Sequence, residues 1–566
     1  MKLRWIHIEN YRNLRDVTIY LHETSNYFVG ENSVGKSNFL DLMALLSQGR
    51  GFTELDFLEF EKPIRITLEV ELSPQEEQYY HDDDDSTKST VTIQVEQLIQ
   101  EVYPRLYRKT DTTRRALPLS LLRHMVYIYQ RDASPVFPSE VYIDLEKAMT
   151  KVFNEYADTV GCCLMEPGPY LRERDLGPAC YEAIRRIMPI LEPEGGHPAD
   201  SVRLITMVAL RVLAELLARS KSRVVSLENS ISITEDGKRI LPIFISIDEP
   251  ETRLSPYLQR AVLTYYRQIV NNENEGFLFL LKKLFNLDGL DGQLLIVTHA
   301  TDALMDDYRN IIRFYRNANG MVRVACGSLF QFPRDVEKHL IMHFPEGKEA
   351  LYARCVIIVE GETEYGSFRG FGEKLGINFD YFGICLINAR GEASIEKLAT
   401  LFRSFEIPTV VLYDRDVMGK YESKHRDTVF FTDEACFEMD VVRHLLARRG
   451  RPILDAIVKD LSDGGGVVSK EMLRKGLAKL GFNDVRPIPR KLKNISDRRQ
   501  DDLEIYYFSW FYGNKGVIVG RRMASFMSAD DIPPAFTAVI QKAKTLALAD
   551  ATSSRKEEIY DRHTEV

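Results

Sequence analysis

Tyr352-Ala-Arg-Cys-Val-Ile-Ile-Val-Glu360-Gly361-Glu362-Thr363-Glu364 and Pro408-Thr-Val-Val-Leu-Tyr-Asp414-Arg415-Asp416 decide how the C-terminal half of this chain folds. In the first stretch, the apolar run Val356 to Val359 reads as a strand that ends on a Glu-Gly turn and opens a helix at Thr363. In the second, Val410, Val411 and Leu412 run straight into two carboxylates. Unbroken apolar runs mark parallel strands buried on both faces, and ligands of such sheets bind at the carboxyl ends of the strands. Glu360, Asp414 and Asp416 are therefore expected on one sheet edge. Three hard oxygen donors suit Mg2+ or Mn2+, where zinc would call for His or Cys. One strand-end carboxylate is ordinarily a solvated residue. Two such strand ends in one chain point to a site.

These residues resemble a Toprim domain, the metal-dependent catalytic module of topoisomerases, primases and certain nucleases. Val359-Glu-Gly-Glu-Thr-Glu364 has the form seen in the OLD (overcoming lysogenization defect) family, whose members carry an ATPase ahead of the Toprim domain. The resemblance implies metal ligands at Glu360, Glu364, Asp414 and Asp416. A further acidic motif of the family, Asp-Phe-Glu, is matched by Cys436-Phe437-Glu438-Met439-Asp440. Glu438 is then a fifth ligand, and Cys436 replaces the first acid, with Asp440 or Glu434 as its expected substitute. A Lys-Gly pair downstream in the family points to Lys515 as a catalytic cation in Gly513-Asn-Lys515-Gly516, between aromatics read as strand-like and a following helix. Lys475-Gly476 lies within a helical run and is the weaker match. Asn388-Ala-Arg390-Gly391-Glu392-Ala-Ser394 occupies the family's glycine-containing loop, which is expected to approach DNA.

The N-terminus carries the ATPase that such a family requires. Gly30-Glu-Asn32-Ser-Val-Gly35-Lys36-Ser37 has the P-loop spacing, follows the apolar Tyr27-Phe-Val29 and precedes a helix-like run of Phe39, Leu40, Leu42, Met43 and Leu45. In that context, loop amides and a helix N-terminus cradle phosphate. Gly30, Asn32, Gly35, Lys36, Ser37 and Asp248 form the expected ATP and Mg2+ site. Asp248 and Glu249 end the apolar run Ile243-Phe-Ile-Ser-Ile, Asp248 to hold Mg2+ and Glu249 to orient or deprotonate the attacking water. Leu295-Ile-Val-Thr-His299 repeats the layout and places His299 to touch the γ-phosphate. These segments, with Ile8-Glu-Asn-Tyr-Arg12-Asn-Leu14 and Leu254-Ser-Pro256, resemble ABC-type ATPases of the SMC, Rad50 and RecF group. No Leu-Ser-Gly-Gly signature is found. Gly195-Gly-His-Pro-Ala-Asp-Ser201 is its nearest counterpart, and reads equally as a turn with Ser201 as a helix cap.

At 566 residues and 45% hydrophobic content, two or more domains with their own cores are expected. Seven cysteines show no paired metal spacing, Cys162 and Cys163 being adjacent. With no signal peptide read at the start, a reducing cytoplasm is expected. The longest apolar stretch, Leu204 to Ala218, is broken by Arg211 and Glu215 and reads as a buried helix rather than a membrane span. A net charge of −9 neither supports nor excludes nucleic-acid binding, which uses local patches.

Strands with period-two alternation at Ile64 to Leu72 and Val91 to Val95 flank His81-Asp-Asp-Asp-Asp85, read as a solvated hairpin loop. From Ser139 to Ser220 the pattern turns helical, punctuated by Gly and Pro, and Asp236-Gly237 reads as a hairpin turn. The expected domains are 1–138 (ATPase, first part), 139–222 (helical dimerisation insert), 223–335 (ATPase, second part), 345–548 (Toprim) and 549–566 (flexible tail). Ser462-Asp-Gly-Gly-Gly466 reads as a flexible loop. Arg486, Arg490, Lys491, Lys493, Arg498 and Arg499 form a basic run whose phosphate contacts would be salt-sensitive, and Tyr506, Tyr507, Phe508 and Trp510 read as core.

The fold class is α/β: an ABC-type P-loop ATPase with a helical dimerisation insert, then a Toprim domain with a Rossmann-like parallel sheet. The resemblance implies a cytoplasmic, ATP-binding, metal-dependent DNA endonuclease, homodimeric or higher through the ATPase domain and insert, with no membrane. It also implies antiviral defence, with a partner protein or nucleic acid from the same operon. Two other readings stay open: a RecF-like repair ATPase that binds DNA without cutting, and a nuclease held off by bound ATP.

Overall fold

The structure, a computed structural model, describes residues 2–72, 90–110, 113–130, 147–148, 190–191, 199–221, 227–252, 254–421, 427–462, 465–482, 488–496 and 499–563. The His81–Asp85 loop, most of the 139–222 insert with Cys162 and Cys163, the Gly195–Pro198 turn, Arg486 and Arg498 lie outside them. Contacts divide the chain into two units, Met1–Arg316 with Met321–Phe330, and Asn317–Gly320 with Gln331–Val566.

The first unit contains two sheets. Strands β1 (Lys2–Tyr11), β2 (Leu14–Tyr20), β3 (Ser25–Gly30), helix α1 (Lys36–Gln48), β4 (Ile64–Glu71), β5 (Thr90–Gln97), β6 (Arg105–Lys109), β7 (Arg114–Leu117) and β8 (Val126–Gln130) come first. They are followed by α2 (Ala199–Ser220), β9 (Ser232–Ile233), β10 (Arg239–Asp248), α3 (Pro256–Val270), α4 (Glu275–Phe285), β11 (Gly289–Val297), β12 (Ile311–Arg316) and β13 (Val322–Cys326). One sheet is antiparallel, in the order β2-β1-β4-β5-β6-β7. Its alternating residues Ile64, Ile66, Leu68 and Val70 face the core while Arg65 and Glu69 do not. The other runs β13-β12-β3-β11-β10-β8, with β3, β8, β10, β11 and β12 parallel. In register, Asp248 is level with Val297, and Val297 with Phe28. The carboxyl ends of β3, β10 and β11 thus lie side by side, where a doubly wound sheet takes its ligand. The turn at Asp236-Gly237 joins β9 antiparallel to β10, as its sequence predicts, with Gly237 at φ 79.

In the second unit, α5 (Arg334–Gly347) packs on the helix Glu392–Ser404 of the same unit, so the division at Phe330/Gln331 places residues 331–335 with the C-terminal half. Then come β14 (Cys355–Val359), α6 (Glu362–Lys374), β15 (Ile384–Asn388), α7 (Glu392–Ser404), β16 (Thr409–Tyr413) and β17 (Val429–Phe431). Their sheet is wholly parallel, in the order β15-β14-β16-β17. All five residues of β14 and of β16 are buried, as the unbroken apolar runs require. Helices α8 (Phe437–Ala447), α9 (Arg451–Leu461), α10 (Lys470–Leu480), α11 (Gln500–Gly513), α12 (Val517–Phe526) and α13 (Pro534–His563) complete the unit. The aromatics before Lys515, expected as strand-like, are helical: α11 buries Tyr506, Tyr507, Phe508, Trp510 and Phe511. A run of consecutive apolar residues fits a buried helix as well as a strand. Residues 549–563, expected as tail, continue α13, in a stretch holding the helix formers Ala, Arg, Lys and Glu. Among the described residues, no helix is long and apolar enough to cross a membrane.

Helices α6 and α12 meet backbone to backbone. A Cβ added at Gly520 would lie 2.1 Å from the Thr363 carbonyl oxygen, and one at Gly366 would lie 2.3 Å from that of Val517. Since backbone cannot yield as a side chain does, Gly520→Ala is expected to destabilise the second unit by about 1–3 kcal/mol. Urea unfolding followed by aromatic fluorescence measures it; an unchanged midpoint would show that the helices part freely.

Candidate functional site

The P-loop closes on its own lysine. Gly30 ends β3 at φ 129, where a Cβ would lie 2.1 Å from the Phe314 carbonyl oxygen, so only glycine fits. Lys36 starts α1, is almost fully buried, and donates from Nζ to the carbonyls of Gly30 (2.9 Å) and Glu31 (2.5 Å). Burial lowers its pKa to about 8, against the pull of Asp248 and Glu249 upward. A buried ammonium whose hydrogen bonds go to carbonyls is a ready partner for an anion. Asn32, on the loop, and Ser37, on the first turn of α1, stand exposed. Arg12 bonds Asp56 (2.9 Å), Asp41 (2.8 Å) and Asn38 (3.0 Å), tying the β1–β2 turn to α1.

Across the sheet edge, Glu249 adopts φ 51, a left-handed conformation costly for a side-chain-bearing residue, and its amide bonds the Val297 carbonyl at 2.9 Å. Glu251 follows two residues later. Its carboxylate accepts from the Thr298 hydroxyl (2.8 Å) and the His299 amide (2.7 Å), fixing the His299 turn against the end of β10. Burial, then the nearby Lys36 charge, lowers the His299 pKa and favours the neutral imidazole.

The second site lies in the C-terminal unit. Glu360 and Asp414 stand one residue past the adjacent parallel strands β14 and β16. Glu364, on the first turn of α6, and Glu438, on the first turn of α8, are buried. The acids are close enough to disfavour one another's charge. Glu364 is pushed up to about 8 by burial, then by Glu438 and Asp414. Asp414 is pushed up to about 7 by burial, then by Glu360 and Glu438. Burial likewise raises Glu360. Oε2 of Glu360 and Oε1 of Glu438 are buried without a hydrogen-bond partner. The glycine-containing loop is anchored here too, since the Gly391 amide bonds the Glu360 carbonyl at 2.9 Å, while Arg390 pairs with Glu346 at 2.8 Å.

Lysine sets the remaining charge balance. Lys515 Nζ lies 2.9 Å from Glu438 Oε2, held there by burial-strengthened attraction, whereas Lys475 pairs with Glu471 of its own helix on the surface. Asp416 sits apart from the buried acids, more exposed, and pairs with Lys479 of α10. No sequence signal marked Lys479, which reaches the site only through the packing of α10. The substitute acids for Cys436 do not reach it as expected. Asp440 spends both oxygens on the amides of Asp433 and Glu434, and Glu434 pairs with Arg443. Cys436 itself is buried, which raises its thiol pKa.

The donor set is all oxygen, with two orphaned buried oxygens and mutually repelling acids, which suits a hard divalent cation. As they stand, no three His, Cys, Asp or Glu side chains among the described residues are gathered closely enough to hold one.

A family model described as overcoming lysogenization defect protein-like, TOPRIM domain, matches residues 351–416, and an AAA ATPase domain model matches residues 1–158. The DNA replication and repair protein RecF of Staphylococcus haemolyticus is 36% identical over 63 residues, 11% of this chain and 17% of that protein. The uncharacterized protein YbjD of Escherichia coli is 25% identical over 258 residues, 44% of this chain and 41% of that protein. The chain thus spans less than half the length of either relative. The C-terminal region of the Burkholderia pseudomallei OLD protein is similar at 19% identity over 35% of this chain and 99% of that one, with a TM-score of 0.23. The P-loop at the edge of the first unit's parallel sheet lies within the residues that match the AAA ATPase domain model, and Glu360, Glu364, Asp414 and Asp416 lie within those that match the OLD-like Toprim domain model.

Proposed function

We propose that this chain is an ATP-binding, divalent-metal-dependent endonuclease that hydrolyses phosphodiester bonds of DNA. The observation that carries the reading is the cluster of Glu360, Glu364, Asp414 and Glu438 at the carboxyl ends of parallel strands, with the Lys515 ammonium against Glu438. Glu360, Glu364, Asp414, Asp416 and Glu438 would hold Mg2+ or Mn2+. When bound, the ion supplies water activation and stabilisation of charge on the scissile phosphate. The buried carboxylates orient at the strand ends, and Lys515 adds a positive charge where the phosphate gains negative charge. In the ATPase domain, Lys36 and the loop amides bind ATP, Asp248 and Ser37 hold its Mg2+, Glu249 orients water, and His299 faces the γ-phosphate. A cytoplasmic homo-oligomer joined through the ATPase domain and its insert, acting in antiviral defence with an operon partner, follows by analogy with the family alone.

Plasmid DNA incubated with the protein is expected to be cut only with Mg2+ or Mn2+. Absence of cutting under every metal and nucleotide condition would replace the reading with a RecF-like DNA-binding ATPase. Cutting suppressed by ATP would make the nucleotide a restraint.

Lys515→Ala is expected to slow cleavage about a hundredfold or more while DNA affinity changes little. Lys475→Ala, on an exposed pair, should do neither. Single-turnover cleavage beside a filter-binding titration separates the two, and normal cutting by Lys515→Ala would remove Lys515 from the site.

A further inference from the structure

Two of the five acids in the Toprim site are already paired with ammonium groups. Lys515 meets Glu438 at 2.9 Å, and Lys479 meets Asp416 at 2.5 Å. Lys479 is not a loose surface side chain. It sits on the last turn of α10, and α10 is locked onto α11 at Gly476, where a Cβ would lie 2.2 Å from Ser509 Oγ. Its side chain is 27% exposed, less than the 44% of Asp416. Asp416 is also the most exposed of the five acids, on the turn Arg415–Val417 that leaves β16, where Glu364 and Glu438 are buried and Glu360 and Asp414 half-buried. An ion that takes Asp416 Oδ2 competes with Lys479 for it.

We propose that Lys479 is a positioning residue of the Toprim site: an internal counter-ion that holds the Asp416 carboxylate until a divalent cation takes it, and so sets how tightly the site binds that cation. The proposal rests on the metal-dependent reading of these acids. Fully ionised, five carboxylates less two ammonium groups leave three negative charges; removing Lys479 makes it four and frees Asp416. A structural role would give the opposite sign, since losing a support loosens a site.

The test is Mn2+ titration of the nucleotide-free full chain by calorimetry, counting as Toprim-site binding only what Asp414→Ala abolishes. Lys479→Met is expected to tighten that binding about three- to tenfold. The Mn2+ concentration for half-maximal DNA cleavage should fall by the same factor. Lys479→Arg, which restores a cation, should return towards wild type, and Lys475→Met should leave affinity unchanged. In an Asp416→Asn background, Lys479→Met should have no further effect, because the pair is already broken. Thermal unfolding confirms that each variant folds, with Lys479→Gln in reserve if the Met variant does not. Unchanged or weakened Mn2+ binding in folded Lys479→Met, or an equal effect in the Asp416→Asn background, overturns the proposal. Mn2+ binding that Asp414→Ala leaves intact instead overturns the metal reading of the acids, and this proposal with it.

Discussion

Asp414→Asn is expected to lower metal-dependent DNA cleavage about a thousandfold or more while ATP binding stays at the wild-type level. Asp414 stands at the end of β16, beside the strand that delivers Glu360, and burial, then the neighbouring acids Glu360 and Glu438, raises its pKa to about 7. Its Oδ1 also accepts from the Phe437 amide at 3.2 Å, supporting the first turn of α8 that carries Glu438. Asn keeps an acceptor for that amide and removes only the charge, so a loss of cutting by Asn reports on chemistry rather than folding. Ala would remove both. Plasmid nicking under single-turnover conditions, with nucleotide binding measured on the same preparation, checks it. Full cutting by Asp414→Asn would sink the nuclease assignment.

Lys36→Ala is expected to weaken ATP binding about a hundredfold. The ammonium is buried, donates to two carbonyls of its own loop and feels Asp248, Glu249 and Glu31 nearby, and a triphosphate adds counter-charge to a cation whose burial lowers its pKa to about 8. Loop amides alone carry only partial charges. Thermal unfolding of Lys36→Ala beside the wild type keeps the binding measurement interpretable. Glu249→Gln makes the contrasting case: the same shape without the base, so binding persists and hydrolysis slows about a hundredfold. Calorimetric ATP titration with a phosphate-release assay separates the two. Wild-type ATP affinity in Lys36→Ala would end the P-loop reading.

Much of this was legible in the chain because it is local. A strand buried on both faces must be apolar along its whole length, so Val356–Val359 and Val410–Leu412 announced the parallel sheet and put Glu360 and Asp414 at its edge. The P-loop needs glycine where the backbone passes another strand, and Gly30 stands where it does because the Phe314 carbonyl leaves no room for a Cβ. What only the tertiary structure decided is what long side chains do once distant helices pack. Asp440 is as acidic as its neighbours in the sequence, yet its oxygens are used up on two loop amides. The aromatics of α11 have no alternation or helical stripe to read, because a helix buried on all sides shows none. Lys479 and Lys475 lie on one helix four residues apart, and nothing local tells them apart. In the folded unit Lys479, on the last turn of α10, meets Asp416, and Lys475, one turn earlier, pairs with Glu471 of its own helix at the surface.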